Sequence, residues 1–137
     1  MTDQDPTALM LRGQPFAATL GLKDVVASPE QVDASLEYDT SLCTGGGILH
    51  GGALMAMADA VGGYCAYLNL PSAAAGTATI ESKTNFLRPV RSGTVRATAR
   101  PLQVGRTVIV VDTELRDDQQ RLVARTTQTQ AVMAPRE

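Results

Sequence analysis

The chain has no tryptophan, two phenylalanines and three tyrosines among its 137 residues. So few aromatic rings leave little from which to build the base-stacking platforms of single-strand nucleic-acid binders. Positive charge is not in excess either. Twelve basic against 14 acidic residues give −2, and nothing draws the chain in bulk to nucleic acid or an anionic membrane. Cysteine is scarce. Cys43, Cys65 and the single histidine, His50, include no CxxC pair and make no zinc site. Both thiols are expected to be free, in a reducing compartment. Long apolar runs are scarce as well. The longest, residues 53–68, carries Asp59 and two glycines and falls short of a membrane span. Met1 to Pro6 is polar and acidic, unlike the basic start of a signal peptide. The expectation is one soluble, cytoplasmic domain over 1–137, with an ordinary apolar share of 44%.

What is present is concentrated between Gly45 and Leu68. Gly45-Gly46-Gly47-Ile48-Leu49-His50-Gly51-Gly52 precedes a run rich in Ala, Leu and Met, in which Asp59 is the one group expected to be charged at neutral pH. Burying a carboxylate is costly unless something pairs with it, so Asp59 is expected to have a use. Glycines at the start of the run present bare N–H groups, which stabilise a developing oxyanion.

The surrounding pattern places this run. Asp5-Pro6 is an N-cap followed by proline at the first helical position. A further short turn over Phe16 to Leu20 closes at Gly21. Strands are predicted over Leu22–Ala27 and Gln31–Tyr38, with Ser28-Pro29-Glu30 as the turn. Ala53–Leu68 reads as a helix, apolar nearly all round and so wrapped by protein on most sides. Gly62-Gly63 inside it costs roughly 1 kcal/mol per glycine, offset if another backbone approaches closely. Four strands follow: Thr77–Phe86, Gly93–Val104, Thr107–Arg116 and Arg121–Met133. Short turns between them imply an antiparallel meander, curled around the central helix. Asp117, Asp118 and Arg121 read as a hairpin turn.

Gly51 and Asp59 are separated by about 12 Å of helix at 1.5 Å per residue. An oxyanion donor and a carboxylate must both lie about 3 Å from one reacting group. One chain cannot easily do this. Two chains with antiparallel helices can, twice over, across a two-fold axis. Each feature also has a plainer reading: Asp59 as a satisfied core acid, His50 as a helix-start residue, Gly45–Gly47 as loop. Other motifs are absent. There is no Gly-x-Ser-x-Gly elbow and no Walker lysine, and His50 stands where a dinucleotide fingerprint needs its third glycine.

From about Phe16 to Val132 the arrangement resembles the hotdog-fold acyl-CoA thioesterases, of the phenylacetate-pathway and 4-hydroxybenzoyl-CoA types. The residues that carry the resemblance are His50-Gly51-Gly52 with an acid nine places after the histidine, Asn85-Phe86-Leu87-Arg88-Pro89-Val90, Gly93, Gly105-Arg106-Thr107, Glu114-Leu115-Arg116-Asp117-Asp118 and Arg121-Leu122-Val123-Ala124. The resemblance implies an α+β hotdog fold, an antiparallel sheet wrapped around a central helix, and hydrolysis of an acyl-CoA thioester. It implies that the Gly51 N–H polarises the thioester carbonyl and that Asp59 of the partner subunit is nucleophile or general base. His50 would orient the thioester or assist the departing thiolate, and Thr79 would orient the attacking water. Thr44 stands where the family usually carries Asn or Gln, and Gly63 where others have threonine. Gly52, Arg88, Arg106 and Thr107 would contact substrate, the arginines its phosphates. A homodimer, or a dimer of dimers, is implied, with acyl-CoA as substrate and with neither metal nor redox cofactor, nucleic acid nor membrane involved. Two other readings compete. One is a non-catalytic acyl-CoA binder. The other is a hotdog hydratase or dehydratase.

Overall fold

The computed structural model describes Thr2 and residues 4–136; Met1, Asp3 and Glu137, and the part of the N-terminal reading that falls on them, lie outside it. Two short helices open the chain, α1 (Pro6–Gly13) and α2 (Pro15–Leu20). Asp5 caps α1 as its sequence predicts, its Oδ1 accepting from the N–H groups of Thr7 and Ala8. Gly21 closes α2 in the left-handed conformation, φ 97°. Then come β1 (Lys23–Ser28), β2 (Gln31–Glu37), a two-stranded ladder of β3 (Cys43–Thr44) and β4 (Ile48–Leu49), the long helix α3 (Gly51–Leu68), and β5 (Gly76–Phe86), β6 (Thr94–Val104), β7 (Val108–Arg116) and β8 (Leu122–Met133).

Six strands form one antiparallel sheet in the order β1-β2-β6-β7-β8-β5. The expected meander holds for β6-β7-β8 only. β5 pairs with β8 rather than β6, so the segment between β5 and β6 runs from the sheet edge to its middle. β5 and β1 are the two edges. α3 lies across the concave face. Val32, Ala34 and Leu36 of β2, Val95, Ala97 and Ala99 of β6, and Ile109, Val111 and Leu115 of β7 form the core with Leu54, Met57, Ala58, Val61 and Cys65 of α3. The alanines at facing positions let the helix sit close to the sheet. The N-cap of α3 is His50, and Asn69 ends it, its Nδ2 donating to the Cys65 carbonyl at 2.8 Å.

Two expectations for α3 change. The helix is covered on most sides, as expected, but Gly52, Met55, Asp59 and Tyr67 form one exposed stripe along it. Asp59 therefore stands on the open face rather than in the core. Gly62 does not admit another backbone. A Cβ there would lie 1.8 Å from Gln128 Oε1, so the glycine makes room for a side chain of β8.

Candidate active site

The donor end of the site is built from contiguous chain. Gly46 and Gly47 take positive φ, 78° and 70°, and turn the chain between β3 and β4. The Tyr38 hydroxyl donates to the Gly47 carbonyl at 2.8 Å and anchors the turn. These glycines serve the turn and are not part of the helix start. At the helix start, the Gly52 N–H donates to His50 Nδ1 at 2.7 Å. His50 is thus a structural cap, as its plainer reading has it, and Gly52 has no N–H left for a substrate. Gly52 is itself required by this contact, since a Cβ would fall 2.8 Å from Nδ1. With Nδ1 accepting, the neutral imidazole carries its proton on Nε2, which remains a donor. The Gly51 N–H has no acceptor among the described residues. It is one of the orphan donors of a helix N-terminus, where the macrodipole also favours negative charge. Gly51 borders a cavity of 370 Å³ with Thr44, Leu54, Phe86, Leu87 and Arg88.

The carboxylate end is assembled from distant strands. Asp59 borders a second cavity, of 530 Å³, with Leu9, Gln14, Gly63, Tyr64, Tyr67, Thr77, Thr79 and Gln130 among its lining. Asp59 Oδ1 accepts from Gln128 Nε2 at 3.2 Å and, at a longer 3.4 Å, from the Thr79 hydroxyl. Gln130 Nε2 donates to Thr79 Oγ1 at 2.7 Å. Thr79 reaches this face through a bulge. Between Thr79 and Glu81 the β5–β8 register shifts, leaving Ile80 unpaired, and the extra residue turns Thr79 inward where strict alternation would turn it out. Tyr64 and Tyr67 stack with ring centroids 6.2 Å apart. Burial, and then the neighbouring Tyr67, raise the Tyr64 phenol above its ordinary range, so it stays a neutral hydrogen-bonding group.

Thr44, Gly51 and Arg88 are thus brought together at one cavity, and Asp59 and Thr79 at another. Arg106 and Thr107 join neither. They sit in the β6–β7 turn, where the Thr107 carbonyl accepts from Val132, whereas the Arg88 N–H donates to Val123. That places them about 30 Å apart along β8 at roughly 3.3 Å per residue. Gln128 and Gln130 are the site residues that the sequence reading misses. Their signal is the unbroken polar run Thr126 to Gln130 in a strand second from the sheet edge. Among the described residues no three His, Cys, Asp or Glu side chains converge as a metal site, and no helix is long and apolar enough to cross a membrane.

The fold corresponds to a known family. A profile of the thioesterase superfamily matches residues 46–124, and the chain belongs to that superfamily. Among individual proteins, ComA2 of Bacillus subtilis, named as a candidate esterase, is 32% identical over 114 residues, covering 83% of this chain and 90% of that one. The solved thioesterase HI1161 of Haemophilus influenzae superposes with a TM-score of 0.87 at 26% identity, over 100% of this chain and 94% of that chain. A variant of the thioesterase PA1618 of Pseudomonas aeruginosa also gives 0.87, at 28% identity and 96% of each chain. The architecture is the hotdog fold, and thioester hydrolysis is the reaction class that family and fold support.

Proposed function

We propose that the protein hydrolyses an acyl-CoA thioester to the free acid and coenzyme A, at sites shared between two copies of the chain. The observation that carries this reading is the division of the site. The unpaired Gly51 N–H and the Asp59 carboxylate lie on one helix but border different cavities. They are about 12 Å apart along its axis, too far to meet one carbonyl.

A two-fold pairing joins them. β5 is a sheet edge of 11 residues, most of them exposed, and an unpaired edge of that length is a template for a second strand. Antiparallel pairing of β5 with its copy continues the sheet and sets the two α3 helices side by side in opposite directions. Met55, midway between Gly51 and Asp59 on the open stripe, then lies near the axis. Each Asp59 faces the Gly51 end of the other chain. The same rotation carries the turn with Arg106 and Thr107 toward the Arg88 end, so basic residues far apart in one chain serve one coenzyme A.

In this arrangement the acyl group occupies the cavity beside Asp59, against Leu9, Tyr64 and Tyr67. Met57 is fully buried in the core and does not line this cavity. Asp59 acts on the thioester carbon, either through a water that it deprotonates or as a nucleophile, giving an acyl–aspartyl anhydride that water then cleaves to release the acid. The carbonyl oxygen gains negative charge and is met by the Gly51 N–H. The C–S bond breaks and the thiolate departs, with His50 Nε2–H placed as a donor to it. A thioester is already activated, so positioning, one carboxylate and an oxyanion donor suffice.

The test is thiol release from phenylacetyl-, hydroxybenzoyl-, short-, medium- and long-chain acyl-CoA, with Asp59→Asn run beside the wild type. The expected result is turnover on at least one ester, reduced by about 10²–10⁴-fold in the variant. Tight binding without turnover would make the protein an acyl-CoA binder. Hydration of an enoyl thioester in place of thiol release would make it a hydratase. Sedimentation at micromolar concentration checks the pairing, and an active monomer would overturn it.

A further inference from the structure

We infer that Gln128, with Gln130 acting through Thr79, is a positioning residue for the Asp59 carboxylate, and that Gly62 supplies the space for its amide. The inference rests on the reading of Asp59 as the reactive group.

Both glutamines stand on the face of β8 that packs against α3, at 0% and 2% exposure. Side chains beneath a central helix are ordinarily apolar, as they are on β6 and, apart from Thr113, on β7 here. An amide in such a place is unfavourable unless its groups are paired. The pairing of Gln128 is incomplete. Its Nε2 donates to Asp59 Oδ1, while its Oε1, like the neighbouring Thr113 hydroxyl, is buried without a partner among the described residues. A leucine would fill this place at less cost to stability. Opposite the amide is Gly62, where the helix would be better served by alanine. Alanine there would put a Cβ 1.8 Å from Gln128 Oε1 and 3.0 Å from Thr113 Oγ1. Two residues unfavourable for packing thus face each other, and what their combination provides is one hydrogen bond to Asp59.

The second donor reaches the same atom. Gln130 Nε2 donates to Thr79 Oγ1, so the threonine's own hydrogen is left for Asp59 Oδ1. Both donors therefore fall on Oδ1, and Oδ2 has no partner among the described residues. The consequence is mechanical. An aspartate on an exposed helix face rotates about its side-chain torsions. Two donors rooted in the sheet hold one oxygen and turn the other toward the cavity, where the thioester or water approaches. The orientation of the Gln128 amide is set by the charge that it meets, since its carbonyl in that place would repel the carboxylate.

The experiment is Gln128→Met, alone and combined with Asp59→Asn, with kcat and KM read separately on the best ester. The expected result is a fall in kcat of about tenfold, KM within about twofold of wild type, and no further fall when Gln128→Met is added to Asp59→Asn. Wild-type kcat in a folded Gln128→Met protein would overturn the inference. So would an equal fall in the Asp59→Asn background, which would mark a role in packing alone. If Gln128→Met does not fold, the side-chain amide signals of Gln128 in nitrogen-15 spectra of the wild type and of Asp59→Asn replace it. Asp59 is exposed, so that variant keeps the fold, and the Gln128 amide signals are expected to move. Unmoved signals would overturn the inference. Undiminished turnover by Asp59→Asn would instead remove the functional reading, while the same spectra still report the hydrogen bond.

Discussion

The start of α3 and its middle are both parts of the candidate site, yet they are built by different physics. Thr44, His50, Gly51 and Gly52 lie close together along the chain, and the cap closes over two residues, from His50 to Gly52. Helix geometry alone leaves the Gly51 N–H unpaired. Asp59, by contrast, is held by Thr79, 20 residues away, and by Gln128, 69 residues away. The donor half follows from local rules and survives any change that keeps the cap. The acceptor half depends on the register of two strands, on a bulge and on one glycine.

The widest break in this comparison is Gly51→Pro. Proline is well tolerated at the first helical position, and His50, at φ −60° and ψ 134°, already has the extended backbone that precedes proline. The change removes the N–H proposed to meet the carbonyl oxygen while leaving the cap, and asks the Phe86 ring to give slightly, since a Cβ at residue 51 would lie 3.1 Å from it. The expected loss in kcat is about 10²–10³-fold. Mixed with Asp59→Asn after subunit exchange, it should recover about a quarter of the wild-type rate, because half the dimers then hold one intact site of two. A mixture that exchanges subunits and stays inactive would show that the two halves do not meet across chains.

His50→Asn sharpens the donor half. Asparagine caps a helix well, so thermal stability should be nearly unchanged, while loss of Nε2–H should lower kcat by about tenfold. Full activity would reduce His50 to its capping role. His50→Ala should also lose about 1 kcal/mol of stability.

The adjacent glycines give a smaller test with opposite signs. Gly63 borders the Asp59 cavity, and a Cβ there meets nothing within 4 Å. Gly63→Ala should therefore stabilise by about 1 kcal/mol in urea denaturation. Gly62→Ala must displace the Gln128 amide and should destabilise by about 1–3 kcal/mol. Equal effects at the two positions would remove the special place given to Gly62.

The smallest effect concerns the thiols. Burial pushes the Cys65 thiol up to about 11, so it stays protonated through neutral and mildly alkaline pH, and its reactive thiolate forms only as pH rises toward that value. Cys43, half-buried at the donor end, has no such enclosure. A thiol reagent at pH 8 should label Cys43 in the native protein and Cys65 only after unfolding. Equal rates would show that the contact between helix and sheet opens readily.

Much of this was legible from residue order. The Asp5 cap, the α3 boundaries to within two residues, the strands to within about two, and the hairpin at Asp117 follow from capping, turn chemistry and a period of two. Capping geometry also explains His50, whose plainer reading proved to be part of the truth. The failures have physical causes as well. A helix apolar by composition read rightly as wrapped on most sides, but composition does not say where its one open stripe lies or that Asp59 stands on it. β5 read as the neighbour of β6 because adjacency in sequence is the usual rule, and here the chain crosses from the sheet edge at β5 to its middle at β6. Thr79 was picked out by resemblance, but its approach to Asp59 depends on the extra residue at Ile80, which no alternation pattern reveals.

By itself the sequence determined the elements, the unpaired donor at Gly51 and the lone acid on the helix, since each depends on residues within a turn or two of chain. Only the tertiary structure decided that Asp59 faces outward, that Gln128 and Gln130 lie beneath it, and that Gly62 makes the room. Those contacts join residues 20 to 69 positions apart, and their geometry is set by sheet register and helix packing, which local propensity does not encode.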